Sequence, residues 1–233
     1  MKARGVDYVQ PPFAPRDLAL ARKPKCASSF VRGYLREATS RDHQMWGHHT
    51  AKVLRRRHPE RIIVGVARAP CPWVVSWWAD ILRSGRPEWL YPFLRPADRN
   101  HAAVHIFRAV LYGVTHPEVY QNAPAELRQR GEPVTGQDLS TWTSGGLWSW
   151  MSETFNGDAD YLIACERANE GLGLLVGKNL SALPRRGVHG PKDPRPFYTD
   201  EMLDWVREAD GDMMDRLGYD LFGAPDWALR RWK

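Results

Sequence analysis

The sequence predicts an α/β protein in which helices flank both faces of one central, mostly parallel β-sheet. Three short apolar segments have the character of buried strands: Asp17–Lys23, Arg61–Ala67 and Asp160–Glu166. A segment with helical periodicity follows each of them, and strands that alternate with helices are typical of a parallel sheet. With 233 residues the chain is long enough to bury a substantial core, and it fits a single domain.

The middle strand is the clearest of the three. Residues Arg61–Ala67 read RIIVGVA, which is apolar and rich in β-branched side chains, and Pro70 closes the segment. Asp17–Lys23 is shorter, and Asp160–Glu166 contains the apolar run YLIAC. We expect the chemistry to lie where the strands end, because open parallel sheets bind ligands at the carboxyl ends of their strands.

Helices are predicted between and after the strands. The last one has Thr199 as its N-cap and acidic residues in its first turn, which favours a helix start. Residues 86–100 are Pro-rich and residues 116–146 have little regular pattern, so we interpret residues 86–145 as an insert beside the site. The predicted helices cover residues 30–38, 45–57, 74–85, 99–113, 146–155, 167–177 and 199–218.

The composition favours an anionic partner. The formal net charge is +6, from 33 basic and 27 acidic residues. Charge alone allows nucleic acid, a nucleotide or an anionic saccharide. Because the acidic residues are scattered along the whole chain, a continuous basic surface for nucleic acid is not expected.

Cysteine and hydropathy patterns indicate a reducing, cytoplasmic setting. Cys26, Cys71 and Cys165 form no C-x-x-C pair, so the sequence supports neither a zinc site nor a disulfide framework. The segment Met1–Asp17 lacks the apolar core of a signal peptide. The chain also has no run of 18 apolar residues, so no membrane span is expected.

The first strand leads into a loop with the character of a phosphate cradle. The stretch RKPKCASSF places Lys25 before small residues and two hydroxyls, Ser28 and Ser29, at a predicted helix start. Backbone N–H groups, hydroxyls and an ammonium can converge there on an oxyanion. The alternative is an ordinary turn with Ser28 as N-cap and exposed lysines.

The second junction places an arginine and a hydroxyl near the end of the middle strand. In ARAPCPWVVSWW, Arg68 follows the strand and Ser76 lies eight residues later in the next helix. A guanidinium and a hydroxyl in this arrangement can hold one phosphate from two sides. The alternative for Arg68 is a surface residue at the end of a strand.

Together the two junctions resemble the PAPS-dependent sulfotransferases, in particular their bacterial and carbohydrate-type branch. PKCASS (Pro24–Ser29) resembles that family's loop for the 5′-phosphosulfate of 3′-phosphoadenosine 5′-phosphosulfate (PAPS). Arg68, Pro70, Ser76 and Trp78 match its 3′-phosphate motif, whereas Trp73 stands where many members have a second arginine. Three further segments are similar to family motifs: HHTAKVLRRRHPERIIVGVAR, RRGVHG and PFYTDEMLDWVREADGDMMDRLGYD. The resemblance covers residues 17–80 and about 146–220.

The resemblance implies a sulfotransferase fold with a P-loop-like phosphosulfate loop, and transfer of a sulfuryl group from PAPS to a hydroxyl or amine, with 3′-phosphoadenosine 5′-phosphate (PAP) as product. Lys25 would act as the electrophilic clamp, and no metal would be required because lysine and the helix dipole neutralise the leaving group. The single domain would comprise a PAPS-binding core (17–85), the insert (86–145), a closing part (146–220) and a basic tail (224–233). The implied PAPS-binding residues are Lys25, Cys26, Ala27, Ser28, Ser29, Phe30, Arg68, Ser76, Arg185, Arg186 and Gly187.

An acceptor hydroxyl also needs a base that works near neutral pH, and histidine is the natural choice. His49 lies in HHTA, the stretch that resembles the family's H-x-T-A motif, and is the first prediction for this base, with His48 second. The alternative for His49 is simple packing on a helix. Further residues assigned to the acceptor side are His101, His105, Trp148 and Glu153, the last also as an alternative base.

The sequence is also compatible with two other functions. A P-loop kinase would share the strand–loop–helix arrangement, but G-x-x-x-x-G-K-[ST] is absent from the chain. The third hypothesis is a non-catalytic protein that binds a nucleotide or nucleic acid. The sulfotransferase hypothesis implies a nucleotide co-substrate and a small-molecule or saccharide acceptor. It specifies neither the identity of the acceptor nor the oligomeric state.

Overall fold

One β-sheet organises the chain. The computed structural model describes residues 10–38, 49–100, 102–135, 137–183 and 193–232. Within these ranges four strands form an open sheet in the order β1-β2-β3-β4. The strands are β1 (Leu18–Leu20), β2 (Ile62–Ala67), β3 (Tyr161–Ala164) and β4 (Leu229–Arg231). The first three are parallel and β4 is antiparallel to β3, so the predicted α/β class with a mostly parallel sheet is confirmed.

The parallel strands end at a common edge of the sheet. Leu20 pairs with Val64, and Ala67 pairs with Ala164, so the three strands are in close register. We call this end of the sheet, where β1, β2 and β3 finish, the carboxyl edge. The segments that leave it begin at Ala21, Arg68 and Cys165.

Helices cover the sheet and extend away from it. They are α1 (Ser28–Ala38), α2 (Ala51–Arg57), α3 (Pro70–Arg83), α4 (Phe107–Thr115), α5 (Pro117–Gln121), α6 (Ala125–Thr135), α7 (Leu147–Asn156), α8 (Ala168–Val176) and α9 (Asp200–Leu217). α7 packs on β2, α8 packs on β3 and β4, and α9 packs on α4 and α7. No helix in the described ranges is long and apolar enough to cross a lipid bilayer.

Aromatic residues of the insert share the core of the sheet. Trp77 on α3 meets the ring of Phe93 edge-on, at a centroid distance of 5.4 Å. Phe93 in turn stacks on Tyr120 of α5. All three side chains are buried. The insert is therefore held by the same hydrophobic core as the strands, which fixes its position relative to the carboxyl edge.

The predicted helix 99–113 is interrupted. A 3-10 turn covers Ala103–His105, and the backbone of Ile106 is extended, with φ −89° and ψ 98°, before α4 begins. The indole N–H of Trp78 donates to the carbonyl of Val104 at 2.8 Å, which ties the turn to α3. A tertiary hydrogen bond thus outweighs the local helical periodicity.

Two other segments differ from the sequence prediction. The stretch predicted to lack regular structure contains α5 and α6, which begin at or just after Pro117 and Pro124. The predicted basic tail contributes β4, in which Leu229 pairs with Ile163 and Arg231 pairs with Tyr161. The pattern missed β4 because its side chains are mostly exposed and two of its three residues are arginine.

Candidate functional site

The two predicted junctions meet at the carboxyl edge. Arg68 directly follows β2, and its Nη1 donates to the backbone carbonyl of Lys25 at 3.0 Å. The indole N–H of Trp148 donates to the carbonyl of Arg68 at 2.9 Å, which fixes the arginine's own backbone. One guanidinium therefore joins the segment after β1 to the segment after β2.

The segment after β1, residues 21–27, has an unusual backbone, and we call it the Lys25 loop. Lys25 has φ 60° and Ala27 has φ 52°, both in the left-handed region that non-glycine residues rarely occupy. Left-handed residues that alternate with ordinary ones turn backbone N–H groups toward one side, as in anion-binding nests. α1 begins directly afterwards at Ser28, and the first N–H groups of a helix have no partner within the helix.

Three consecutive residues of the Lys25 loop are each bonded to a different element. The Lys23 ammonium donates to Ser152 Oγ on α7 at 2.5 Å. The Pro24 carbonyl accepts from the indole N–H of Trp73 on α3 at 2.8 Å. The Lys25 carbonyl accepts from Arg68, as described above. These bonds tie the strained loop to α7, α3 and the segment after β2.

Lys23 is the fully buried residue of this loop that carries a charge. Its Nζ lies 5.1 Å from the centroid of the Trp73 ring and 4.9 Å from that of Trp148, so the ammonium sits between two indoles. Burial lowers the Lys23 pKa to about 8, although the charges of Cys26 and Asp210 act in the opposite direction.

Asp210 on α9 is the acidic counterpart of Lys23. Its Oδ1 accepts from the backbone N–H of Ser149 at 3.0 Å, in the first turn of α7. Burial raises the Asp210 pKa to about 6, while the Ser149 hydrogen bond and the charge of Lys23 oppose that rise. Lys23 and Asp210 therefore stabilise each other's charged form in a region from which water is excluded.

Cys26 is a packing residue of the loop. It is fully buried, and burial raises the pKa of its thiol to about 11, even though Lys23 and Arg68 favour the thiolate. The thiol is therefore protonated at neutral pH and unsuited to nucleophilic chemistry.

The Lys25 side chain faces α3. Its Nζ lies 3.0 Å from Oδ1 of Asp80. Ser76 precedes Asp80 by four residues and thus lies on the same face of the helix, where it is buried. The residues predicted for the phosphosulfate and for the 3′-phosphate are therefore brought together within about one helical turn.

Glu166 lies in the segment after β3, and its carboxylate reaches the start of α3. Its Oε1 accepts from the Ala69 N–H at 3.0 Å, and its Oε2 accepts from the Tyr219 hydroxyl at 3.1 Å. Burial raises the Glu166 pKa, against the effect of these hydrogen bonds and of Arg68. Glu166 therefore fixes the backbone of Ala69, the residue that precedes α3, and its carboxylate interacts with the charge of Arg68.

An open cavity of about 820 Å³ extends from Glu166 along α8. Apolar groups line part of it, including Leu174 and Leu180, and polar groups line the rest, including Lys178. Asn169 on α8 donates to the carbonyl of Leu183 at 2.8 Å, which shapes the rim. The cavity is large enough for a nucleoside-sized ligand, and Glu166 is the lining residue that also contacts the start of α3.

The structure separates the residues predicted for the acceptor side. The carbonyl of His49 accepts from the N–H of Arg22 at 3.0 Å, so His49 lies at the carboxyl edge beside the Lys25 loop. His105 is exposed in the 3-10 turn before α4. Trp148 is 1% exposed and its indole N–H is bonded to Arg68, so it supports the site from below and presents no face to an acceptor. The exposed Glu153 pairs with Arg216 at 2.9 Å.

Several predicted residues lie outside the described ranges, namely His48, His101, Arg185, Arg186 and Gly187. Ser29 and Phe30 lie in the first turn of α1, where Ser29 is exposed and Phe30 is buried. Among the described residues, no group of three or more His, Cys, Asp or Glu side chains is placed to hold a metal ion.

Sequence reasoning missed four residues that shape the site. Asp80, Glu166 and Asp210 are charged positions on helices or strand ends, where a carboxylate is ordinarily solvated. Lys23 carried a usable signal, because it closes an apolar segment that was predicted to be a buried strand. A lysine in such a segment is exceptional and indicates a buried, paired charge.

Fold and site together define an α/β protein with a cationic loop at the carboxyl edge of its sheet. No protein-family model, curated protein or solved structure matches the chain. The functional argument therefore depends on the geometry of the site.

Proposed function

We propose that the protein is a PAPS-dependent sulfotransferase that moves a sulfuryl group from PAPS to a hydroxyl or amine. The observation that carries this proposal is the 3.0 Å hydrogen bond from Arg68 to the Lys25 carbonyl. It joins the two segments that resemble the family's 5′-phosphosulfate and 3′-phosphate motifs, which lie more than 40 residues apart in the chain. Both motifs thereby reach one edge of one sheet.

The residues present suit a phosphosulfate ligand. The left-handed backbone at Lys25 and Ala27, followed by the start of α1, supports binding of an oxyanion by backbone N–H groups. Arg68 and Ser76 suit the 3′-phosphate, and the cavity beside Glu166 suits a nucleoside. Cations, N–H donors and a cavity are the features that binding of such a nucleotide requires.

The chain's own residues account for most of the chemistry. Bound PAPS would supply an activated sulfuryl group. Lys25 and the helix start then stabilise negative charge on the leaving phosphate, which is the electrostatic requirement of in-line transfer. His49 accepts the proton of the acceptor from its place beside the Lys25 loop. The acceptor is a small molecule or a saccharide.

Thermal melting with a set of ligands tests the nucleotide site. A ligand that binds only the native state stabilises it by about 2.7 kcal/mol at 100 times its Kd. We expect PAP to raise Tm, with much smaller shifts for AMP, for ATP with Mg²⁺ and for a single-stranded oligonucleotide. A shift with ATP or the oligonucleotide and none with PAP would instead support a kinase or a nucleic-acid-binding protein.

Lys25→Met tests turnover. Removal of one charge-stabilising group typically lowers kcat by about 10²–10³, and we expect a loss of that size with radiolabelled PAPS and a panel of acceptors. The fold should persist, because Lys25 is partly exposed and the loop's other bonds remain. Unchanged turnover in this variant would remove Lys25 from the mechanism.

A further inference from the structure

Lys25 is paired within the protein before any ligand is present. Its Nζ lies 3.0 Å from Asp80 Oδ1, and Arg83 Nη1 lies 3.6 Å from the same oxygen. The Lys25 side chain is 17% exposed, whereas those of Asp80 and Arg83 are 48% and 51% exposed. One carboxylate thus has two cationic partners, one directed toward the site and one toward solvent.

This arrangement conflicts with the role of Lys25 as a phosphosulfate clamp. An ammonium that is neutralised by a carboxylate at 3.0 Å has little charge left for a ligand. The same carboxylate would also repel a bound dianion. For Lys25 to serve the nucleotide, Asp80 has to release it and needs another partner.

We propose that Asp80 and Arg83 are positioning residues that control the availability of Lys25. In the ligand-free protein Asp80 holds the ammonium. When a phosphosulfate or the 5′-phosphate of PAP takes Lys25, Asp80 transfers to Arg83. This inference rests on the proposed function, because it takes a PAPS-type nucleotide as the ligand.

The geometry allows such an exchange without backbone movement. Asp80 and Arg83 are three residues apart in the last turns of α3, a spacing at which opposite charges pair on a helix surface. The backbone of Lys25 is fixed by Arg68, and the preceding residue is fixed by Trp73. Side-chain rotation at Lys25, Asp80 and Arg83 is therefore sufficient.

Two substitutions are expected to change nucleotide affinity in opposite directions. Asp80→Asn frees Lys25, and the Kd of PAP measured by calorimetry should fall about threefold to fivefold, in keeping with the usual strength of a partly exposed ion pair. Arg83→Gln removes the second partner of Asp80, so the Kd of PAP should rise. In a Lys25→Met background, Asp80→Asn should lower the Kd clearly less than it does in the presence of Lys25, because only the repulsion between Asp80 and the dianion is then removed.

Asp98→Asn is the matched control for net charge. Asp98 pairs with Arg95 at 2.6 Å, also at three-residue spacing, and this pair includes no residue of the site. Its loss should leave the Kd of PAP unchanged. A fall in Kd equal to that of Asp80→Asn would assign the effect to overall charge and overturn the inference.

Labelling of Lys25 in the ligand-free protein gives a second readout that needs no nucleotide. Acetic anhydride labelling followed by peptide mass spectrometry should show that Lys25 is modified several-fold faster in Asp80→Asn. The reason is that the ion pair with Asp80 makes the Lys25 amine less reactive in wild type. An unchanged labelling rate overturns the inference by itself. Binding of PAP that is equal in wild type and Asp80→Asn overturns the inference and leaves the proposed function intact. Failure of wild type to bind PAP at all overturns the proposed function, and this inference with it.

Discussion

Trp73 replaces an arginine of the resembled family with a structural support. Its indole N–H donates to the Pro24 carbonyl at 2.8 Å, and its ring lies against the Lys23 ammonium. A fully buried ring offers no cation to a ligand. Under the proposed function, recognition of the 3′-phosphate would therefore fall to Arg68 on this side of the site. Trp73 supports the loop that Arg68 contacts.

Trp73→Phe should remove this support. The Pro24 carbonyl loses its donor, and a buried acceptor without a partner costs about 1–3 kcal/mol. We expect the free energy of unfolding in urea to fall by that much more in Trp73→Phe than in Trp77→Phe. Trp77 is the matched control because it is also buried, and its Nε1 has no hydrogen-bond partner among the described residues. Equal losses in the two variants would show that the Pro24 bond has no special importance.

Lys23 should give the folded protein a distinct dependence on pH. Its pKa is about 8 in the folded protein, against an ordinary value of 10.5, so the unfolded chain binds this proton more tightly. Stability therefore rises with pH from about 8 to 10.5 and is lost as pH falls back through that range. The full change is on the order of 3 kcal/mol.

The measurement compares wild type with Lys23→Met. The difference in their free energies of unfolding, taken from urea titrations at several pH values, should move in favour of wild type above pH 8 and stay level below it. Lys178→Met controls for loss of a lysine at an exposed position. A difference that does not vary with pH would mean that Lys23 is not buried as a charge.

At the scale of elements, α4 packs against another segment of the insert by direct contact with its backbone. A Cβ atom on Gly113 would lie 1.5 Å from the carbonyl oxygen of Phe93, so only glycine allows this approach. Phe93 ends the 3-10 segment Pro87–Phe93, and its ring belongs to the core shared with α3 and α5. Gly113 therefore sets the distance between α4 and the 3-10 segment Pro87–Phe93, both of which belong to the insert.

Gly113→Ala should force these elements apart. Overpacking of a filled core costs about 1–3 kcal/mol, and contact with backbone leaves little room to relax, so we expect a lower Tm. Gly33→Ala is the contrasting variant, since Gly33 lies within α1 and a Cβ there would meet nothing within 4 Å. It should stabilise the protein by about 0.5–1 kcal/mol. A Tm for Gly113→Ala at or above that of wild type would contradict the close contact.

Elements with strong local signals were predictable from the sequence. β2 is apolar and β-branched, and α9 has its Thr199 cap, with Oγ1 accepting from Met202 N at 3.4 Å. The break before α4 was not predictable, because it depends on a hydrogen bond from Trp78. α5 and α6 were missed because they are short and begin at prolines within a polar stretch.

At the scale of the whole molecule, the site is assembled from distant parts of the chain. The Lys25 loop, Arg68 and Ser76 were predicted because each lies within a short motif beside a strand. Their partners come from α7, α9 and the segment after β3, and include Ser152, Asp210 and Glu166. No local pattern relates these residues to the loop, so only the packing of helices on the sheet brings them together.

At position 25 the left-handed backbone favours one residue type for stability, whereas the proposed activity requires another. Glycine would adopt φ 60° without strain, whereas a residue with a Cβ pays about 1 kcal/mol or more there. Glycine, however, has no ammonium. Backbone geometry alone would favour glycine at position 25, whereas the proposed activity needs the charge of lysine there. Stabilising designs guided by backbone geometry would replace the residue on which the proposed activity depends.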